Sequence, residues 1–294
     1  MLRGEFRAPE GKMKPMPVPF RHAICNEIFQ DWEFAESCRA MKKAGYEGIE
    51  IAPFTLGEDP AQVSASRRRE LAGIMQTEGL EFAGLHWLMV APKGLHVTTP
   101  DETLRERSWQ HIRNLIDLCA ALGAGGIMVF GSPFQRATTG GASRQEATGR
   151  FIDGLAAVAP HAEASGVTIL VEALPAAQCD VVQTLDEAAA IVSEIGNPAV
   201  RTMFDTHNAI DEKEPHAVLL DRHYEIIGHV HVNELDGKHC GQGDYDFKPV
   251  LEVLIRRGYG RWVSLEAFDF SFGSERIANE SLRYLEAEIA QINV

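Results

Sequence analysis

Six times along the chain a glycine is followed directly by a short β-rich run: Gly45 by YEGIEIA, Gly79 by LEFAGLH, Gly123 by AGGIMVFG, Gly166 by VTILVEA, Gly196 by NPAVRTMFD and Gly258 by YGRWVSLEA. A glycine that ends a helix in the left-handed conformation, then a strand of near-continuous Val, Ile and Leu, predicts a strand covered on both faces. Two more runs, HAICNE from His22 and EIIGHVHV from Glu225, bring the predicted strands to eight. Between them, apolar residues recur at helical spacing over 32–44, 64–78, 100–122, 143–165, 185–195, 213–223, 247–257 and 273–290. Thr99-Pro100-Asp101-Glu102 and Thr184-Leu185-Asp186-Glu187 read as capping boxes, the first with Pro at N1.

Strict alternation of strand and helix predicts a parallel sheet, and eight units are the number that closes a barrel. The expected fold is therefore α/β, a single (β/α)8 TIM barrel over residues 21–294 behind a loose, Pro-rich leader over 1–20. A doubly wound open sheet is the alternative. No GxGxxG follows the first strand and no GxxxxGK[ST] occurs, while Gly123-Ala124-Gly125-Gly126 precedes its strand and reads as a turn.

Composition narrows the partners. With 42 Asp and Glu against 28 Lys and Arg, the net charge of −14 opposes a phosphate backbone, so no nucleic-acid partner is expected. The five cysteines (Cys25, Cys38, Cys119, Cys179, Cys240) are scattered and form no CxxC, which argues against a disulfide framework or a thiolate zinc site and for a reducing, cytoplasmic location. No 18-residue apolar run occurs, so no membrane partner is expected. Barrels of this kind often form homo-oligomers, but no exposed apolar stripe argues for one here.

The chemistry concentrates where strands end. The fifth predicted strand ends in Glu172, the sixth in Asp205, the seventh in His231 and the eighth in Glu266. Neighbouring strands lie about 4.8 Å apart, so four consecutive strands on a curved wall bring these side chains to one point. A single acid at a strand end is commonly a helix cap or an ion-pair partner. Three acids together would repel one another without a cation. Three carboxylates and an imidazole make a hard, oxygen-rich site suited to one divalent ion, Mn2+ first, with Mg2+ or Co2+ as alternatives. His229 and His231 point the same way at i and i+2; only the outer one is expected to reach an ion, leaving His229 a satisfied core histidine. Glu27, Lys93, Gln135 and Arg136 read singly as solvated loop residues, whereas LEFAGLHW aims His86 inward beside Trp87.

The stretches VEA, FDTHNA, HVHVNE and SLEAF resemble the metal-binding set of the xylose isomerase-like TIM barrel superfamily, in its sugar phosphate isomerase/epimerase family and most closely in the ketose 3-epimerases. Gly241 to Glu266, GQGDYDFKPVLEVLIRRGYGRWVSLE, resembles the segment joining their last two strands, and the likeness runs from about Arg21 to the C-terminus. The resemblance implies that Glu172, Asp205, His231 and Glu266 bind the ion. It also implies that Glu172 and Glu266 are catalytic, exchanging a proton with the carbon beside the carbonyl of a small keto-sugar, the expected partner. Three positions depart from that pattern: Gln178 stands for a Glu, Gly237 for an Arg with Lys238 adjacent, and Asn208 for a His with His207 one place earlier. The expected substrate contacts are thus His86, Gln178, His207, Asn208 and Lys238. A metal-dependent sugar isomerase or epimerase is the leading reading. The alternative is a metal-dependent lyase that dehydrates, decarboxylates or cleaves a C-glycoside of a keto-sugar derivative, and a non-catalytic sugar-binding protein ranks below it. An apurinic endonuclease of the same barrel class would need further histidines, which VFGSPFQR and Asn208 do not supply.

Overall fold

Residues such as Ile49, Ile51, Leu170, Val171, Val230 and Val263 are buried on whichever side of the sheet they point, as a helix-covered parallel sheet requires. In the structure, a computed structural model that describes residues 18–292, they belong to eight strands. These are β1 (Arg21–Cys25), β2 (Gly48–Ile51), β3 (Glu81–Leu85), β4 (Ile127–Phe130), β5 (Thr168–Val171), β6 (Val200–Asp205), β7 (Ile227–Val232) and β8 (Trp262–Leu265). Every pairing is parallel, the order follows the chain, and β8 closes onto β1 through Arg21 beside Trp262 and Ile24 beside Leu265. The expected (β/α)8 barrel is the fold observed. Most of the expected leader, residues 1–17, lies outside the described residues.

The helices are α1 (Phe34–Ala44), α2 (Ala65–Glu78), α3 (Glu102–Leu122), α4 (Pro133–Arg136), α5 (Arg144–Ala164), α6 (Leu185–Ile195), α7 (His216–Arg222), α8 (Lys248–Arg256) and α9 (Ser274–Ile289). One large hydrophobic cluster fills the shell between helices and sheet, while Ile127, Val129, Leu170 and Met203 form a smaller cluster of their own. Among the described residues no helix is long and apolar enough to cross a membrane.

The predicted helix starts need correcting. At α3 the N-cap is Asp101, whose side chain accepts from the Leu104 N–H at 3.0 Å, while Thr99 Oγ1 accepts from the Asp101 N–H at 3.2 Å. Pro100 therefore precedes the cap and is not N1, because an aspartate one residue later can take the orphan N–H equally well. At α6 Thr184 does cap the Glu187 N–H, but the Glu187 carboxylate turns outward to the Gln183 N–H and to Arg144, so only half the box forms. A complete box stands instead at Ser143 and Glu146, at the head of α5. Gly123 is also not left-handed; its φ of −177° is extended, and its lack of a side chain serves close approach, since a Cβ would sit 2.9 Å from that of Phe82.

Candidate active site

The rim at the strand C-termini is assembled by register. Asp205 pairs with His231 across β6 and β7, and His231 with Ser264 across β7 and β8. Glu172 and Glu266 lie one residue beyond β5 and β8, their N–H groups each extending the ladder to the neighbouring strand at 3.4 Å. The four side chains Glu172, Asp205, His231 and Glu266 offer ligand atoms that all lie within 4.8 Å of one another, and all four are buried. The His231 Nδ1 faces Glu266 Oε2 at 3.1 Å and Asp205 Oδ2 at 3.5 Å. Asn208 donates its Nδ2 to Glu172 Oε1 at 2.9 Å, and its backbone N–H to Asp205 Oδ1 at 2.9 Å. Glu172 Oε2 fits only because Gly131 has no side chain, since a Cβ there would lie 2.1 Å away.

The electrostatics match a site built for positive charge. Burial, reinforced by Asp205 and Glu266, pushes the Glu172 carboxyl up to about 8. Burial also raises Glu266, with Asp205 adding to it and His231 opposing. Asp205 Oδ2 is buried without a hydrogen-bond partner. Three carboxylates confined together, two of them resisting ionisation and one with an orphaned oxygen, are the donor chemistry a hard divalent cation would satisfy. Cys25, which lies near the same cluster, does not fit that role: burial pushes its thiol up to about 12.

Below the rim lies an acid that sequence reasoning passed over. Glu50, fully buried on β2, receives His229 Nε2 at 2.8 Å and places Oε1 at 3.0 Å and Oε2 at 3.1 Å from His231 Nε2. Burial alone would raise the Glu50 carboxyl, but the two imidazoles outweigh it and hold the group well below the carboxylate range. Burial likewise works to lower His231, yet Glu50 and Glu266 hold it well above the ordinary histidine value. His229, expected to be a satisfied core histidine, has its Nε2 on Glu50 while its Nδ1 has no partner. The signal in the sequence was a lone Glu within the apolar run GIEI.

The remaining expected residues divide. His86, Gln178, His207 and Asn208 line one cavity of about 390 Å3 together with Glu172 and Glu266. Gln178 Nε2 and His207 Nε2 stand 3.5 Å apart, and His207 Nδ1 lies 2.8 Å from the Leu235 carbonyl. Lys238 is not among the lining residues; its Nζ pairs with Asp236 Oδ2 at 2.6 Å. Two residues read as solvated are buried instead. Glu27 Oε2 holds His86 Nε2 at 2.8 Å, and Arg136 donates to the carbonyls of Phe130 and Glu172 at 2.8 and 2.9 Å, tying the ends of β4 and β5 together. Lys93 is exposed and Gln135 half-buried. Two of the lining residues, Trp87 and Ser132, hold φ values of +51° and +49°, strained for side-chain-bearing residues and of the kind that gathers at functional sites.

Comparison with known proteins places this geometry among relatives. The xylose isomerase-like TIM barrel family model matches residues 38–288. An L-ribulose 3-epimerase of Mesorhizobium japonicum is 22% identical over 252 residues, covering 85% of this chain and 80% of the relative. A D-psicose 3-epimerase from Clostridium cellulolyticum H10, solved with D-tagatose, superposes with a TM-score of 0.79 at 19% identity, covering 92% of this chain and 99% of the other. A 3-keto-D-glucoside 4-epimerase from E. coli gives a TM-score of 0.79 at 19% identity, over 91% and 99% of the two chains. At these identities the structural likeness speaks for the fold.

Proposed function

The chain belongs to the xylose isomerase-like TIM barrel family, and on that basis we propose that it is a divalent-metal-dependent sugar isomerase or epimerase acting beside the carbonyl of a small keto-sugar or derivative. The observation that carries this reading is the convergence of Glu172, Asp205, His231 and Glu266 within 4.8 Å, with Glu172 and Glu266 also lining a cavity of about 390 Å3. These four would hold the ion, Mn2+ in the first instance and Mg2+ or Co2+ otherwise. When bound, such an ion polarises the sugar's carbonyl and hydroxyl oxygens and lowers the cost of charge developing beside the carbonyl.

The chain's own residues do the rest. Glu172 and Glu266, one residue beyond β5 and β8, both line the cavity, so one can take the proton from the carbon next to the carbonyl while the other returns it. Asn208 keeps Glu172 in place through Oε1. His86, fixed by Glu27, and the Gln178 and His207 pair offer hydrogen-bonding groups to sugar hydroxyls. Removing the same proton also begins the lyase alternative, and Gln178, Asn208 and Gly237, which change the hydrogen-bonding groups around the sugar, keep it in play.

Incubation of the Mn2+-loaded protein with keto-sugars in D2O tests the proposal. Wild type is expected to place deuterium on the carbon beside the carbonyl with the sugar skeleton intact, and Glu172→Gln or Glu266→Gln to slow exchange by roughly 100- to 10,000-fold. Loss of water or CO2 from the substrate selects the lyase. No exchange and no breakdown of any keto-sugar would end both readings.

A further inference from the structure

At the mouth of the cavity the walls change character. Of the apolar residues that line the cavity, Phe134 and Phe268 are exposed and Trp87 is half-buried, while Pro133 and Leu174 are buried. Phe134, on the single-turn α4, is 79% exposed, and Phe268 is 37% exposed. Both are among the five large hydrophobic side chains left exposed among the described residues, and two of five meeting at one opening is not the scattering expected of an ordinary surface. Phe268 packs edge-on to Trp87 at 6.2 Å and against His207 at 5.0 Å between ring centres, so its ring is held and not loose.

Gly237 explains how that ring comes to be there. A Cβ on Gly237 would lie 3.0 Å from Phe268 Cδ2, and the Gly237 carbonyl accepts from the Phe268 N–H at 2.8 Å. The position's bare backbone and its φ of +80° let the aromatic ring occupy the space a side chain would fill. Among the described residues no Lys or Arg lines the cavity, while Glu172, Glu266 and Asp236 do. Lys238 is committed to Asp236, and the Arg136 guanidinium to main-chain carbonyls. A phosphate or carboxylate on the substrate would find no cation waiting at the mouth, whereas an apolar ring would bury exposed aromatic surface.

We propose that the mouth formed by Trp87, Phe134 and Phe268 is a subsite for an uncharged, aromatic substituent carried by the keto-sugar, so that the substrate is an aryl-bearing glycoside and neither a free ketose nor a sugar phosphate. This rests on the keto-sugar reading of the carboxylate site below. The matched probes are phenyl and methyl 3-keto-β-D-glucopyranoside, with D-fructose 6-phosphate as the anionic comparison, titrated calorimetrically into the Mn2+-loaded full chain. The phenyl compound is expected to bind at least about tenfold tighter than the methyl compound, and D-fructose 6-phosphate more weakly than either. In Phe134→Ala, whose ring is mostly in solvent and whose fold can be checked by Tm, the phenyl-to-methyl ratio is expected to collapse to within about twofold. A wild-type ratio near one, a ratio unchanged in Phe134→Ala, tighter binding of the phosphate, or no binding of either ketoside would overturn the subsite. Deuterium exchange with the methyl compound reads the proton-transfer reading separately: exchange without phenyl preference removes only the subsite, and phenyl preference without exchange removes only the proton transfer.

Discussion

Glu50 decides which nitrogen of His231 faces the three carboxylates. Held ionised beneath the site, it accepts the Nε2 proton and turns Nδ1 toward Asp205 and Glu266. Partners of this kind fix the tautomer and basicity of a ligating imidazole, and losing one typically costs ten- to a hundredfold in metal affinity. Glu50→Gln preserves volume but removes the charge. Its Mn2+ dissociation constant is expected to rise by about 10- to 100-fold, read by calorimetry, with the Tm of the metal-free protein showing whether the fold is kept. An unchanged affinity would mean that His231 is oriented by its strand alone. Glu50 was legible only as an oddity, because nothing local distinguishes an acid that serves a neighbouring strand from one that reaches solvent. Lys238 shows the converse: next to Gly237 in sequence, it spends its charge on Asp236.

At the level of strands and helices, much could be read before the structure. Eight apolar runs and eight periodic segments gave every strand and every long helix, because a barrel strand is buried on both faces and a covering helix on one. Glu172, Asp205, His231 and Glu266 were readable for the same reason: a polar residue ending an apolar run stands out, and strand order then sets its neighbours. Short or non-local features escaped. The four residues of α4 are too few to show a period, yet α4 carries Phe134 to the cavity mouth. The choice between Thr99 and Asp101 as cap, and the true capping box at Ser143, depend on where the chain leaves the preceding loop. The caps give a direct check. Asp101→Ala and Ser143→Ala are each expected to cost about 1 kcal/mol in denaturant unfolding, and Thr184→Ala a similar amount. A Thr99→Ala loss clearly larger than that of Asp101→Ala would restore the earlier helix start.

For the molecule as a whole, the carboxylate cluster contributes a pH-dependent part of the stability. Glu172 sits at about 8 in the folded, metal-free protein, against about 4.3 for an unfolded glutamate. Between those values the folded state holds the extra proton, so its stability is full at the acid end and is lost as pH rises toward 8. His86 and His231, both raised well above the ordinary histidine value, push in the same direction above neutrality. Burial lowers His22, His96, His111, His216, His229 and His239, which works in the opposite direction near the ordinary histidine value of about 6.5, so the cluster's own share is read by difference. Between pH 6 and 8 the Tm of the chelator-stripped wild type is expected to fall relative to that of Glu172→Gln. Added Mn2+ should raise Tm more at pH 8, where fewer protons must be displaced.

Calorimetric titration of Mn2+ into chelator-stripped wild type, Glu172→Ala and Asp205→Ala at pH 7.5 bears most directly on the cluster's purpose. Wild type is expected to take up one ion per chain with proton release, and both variants to lose saturable binding while remaining folded. Absence of uptake by wild type, or undiminished uptake by the two variants, would contradict the assignment of these side chains to a cation.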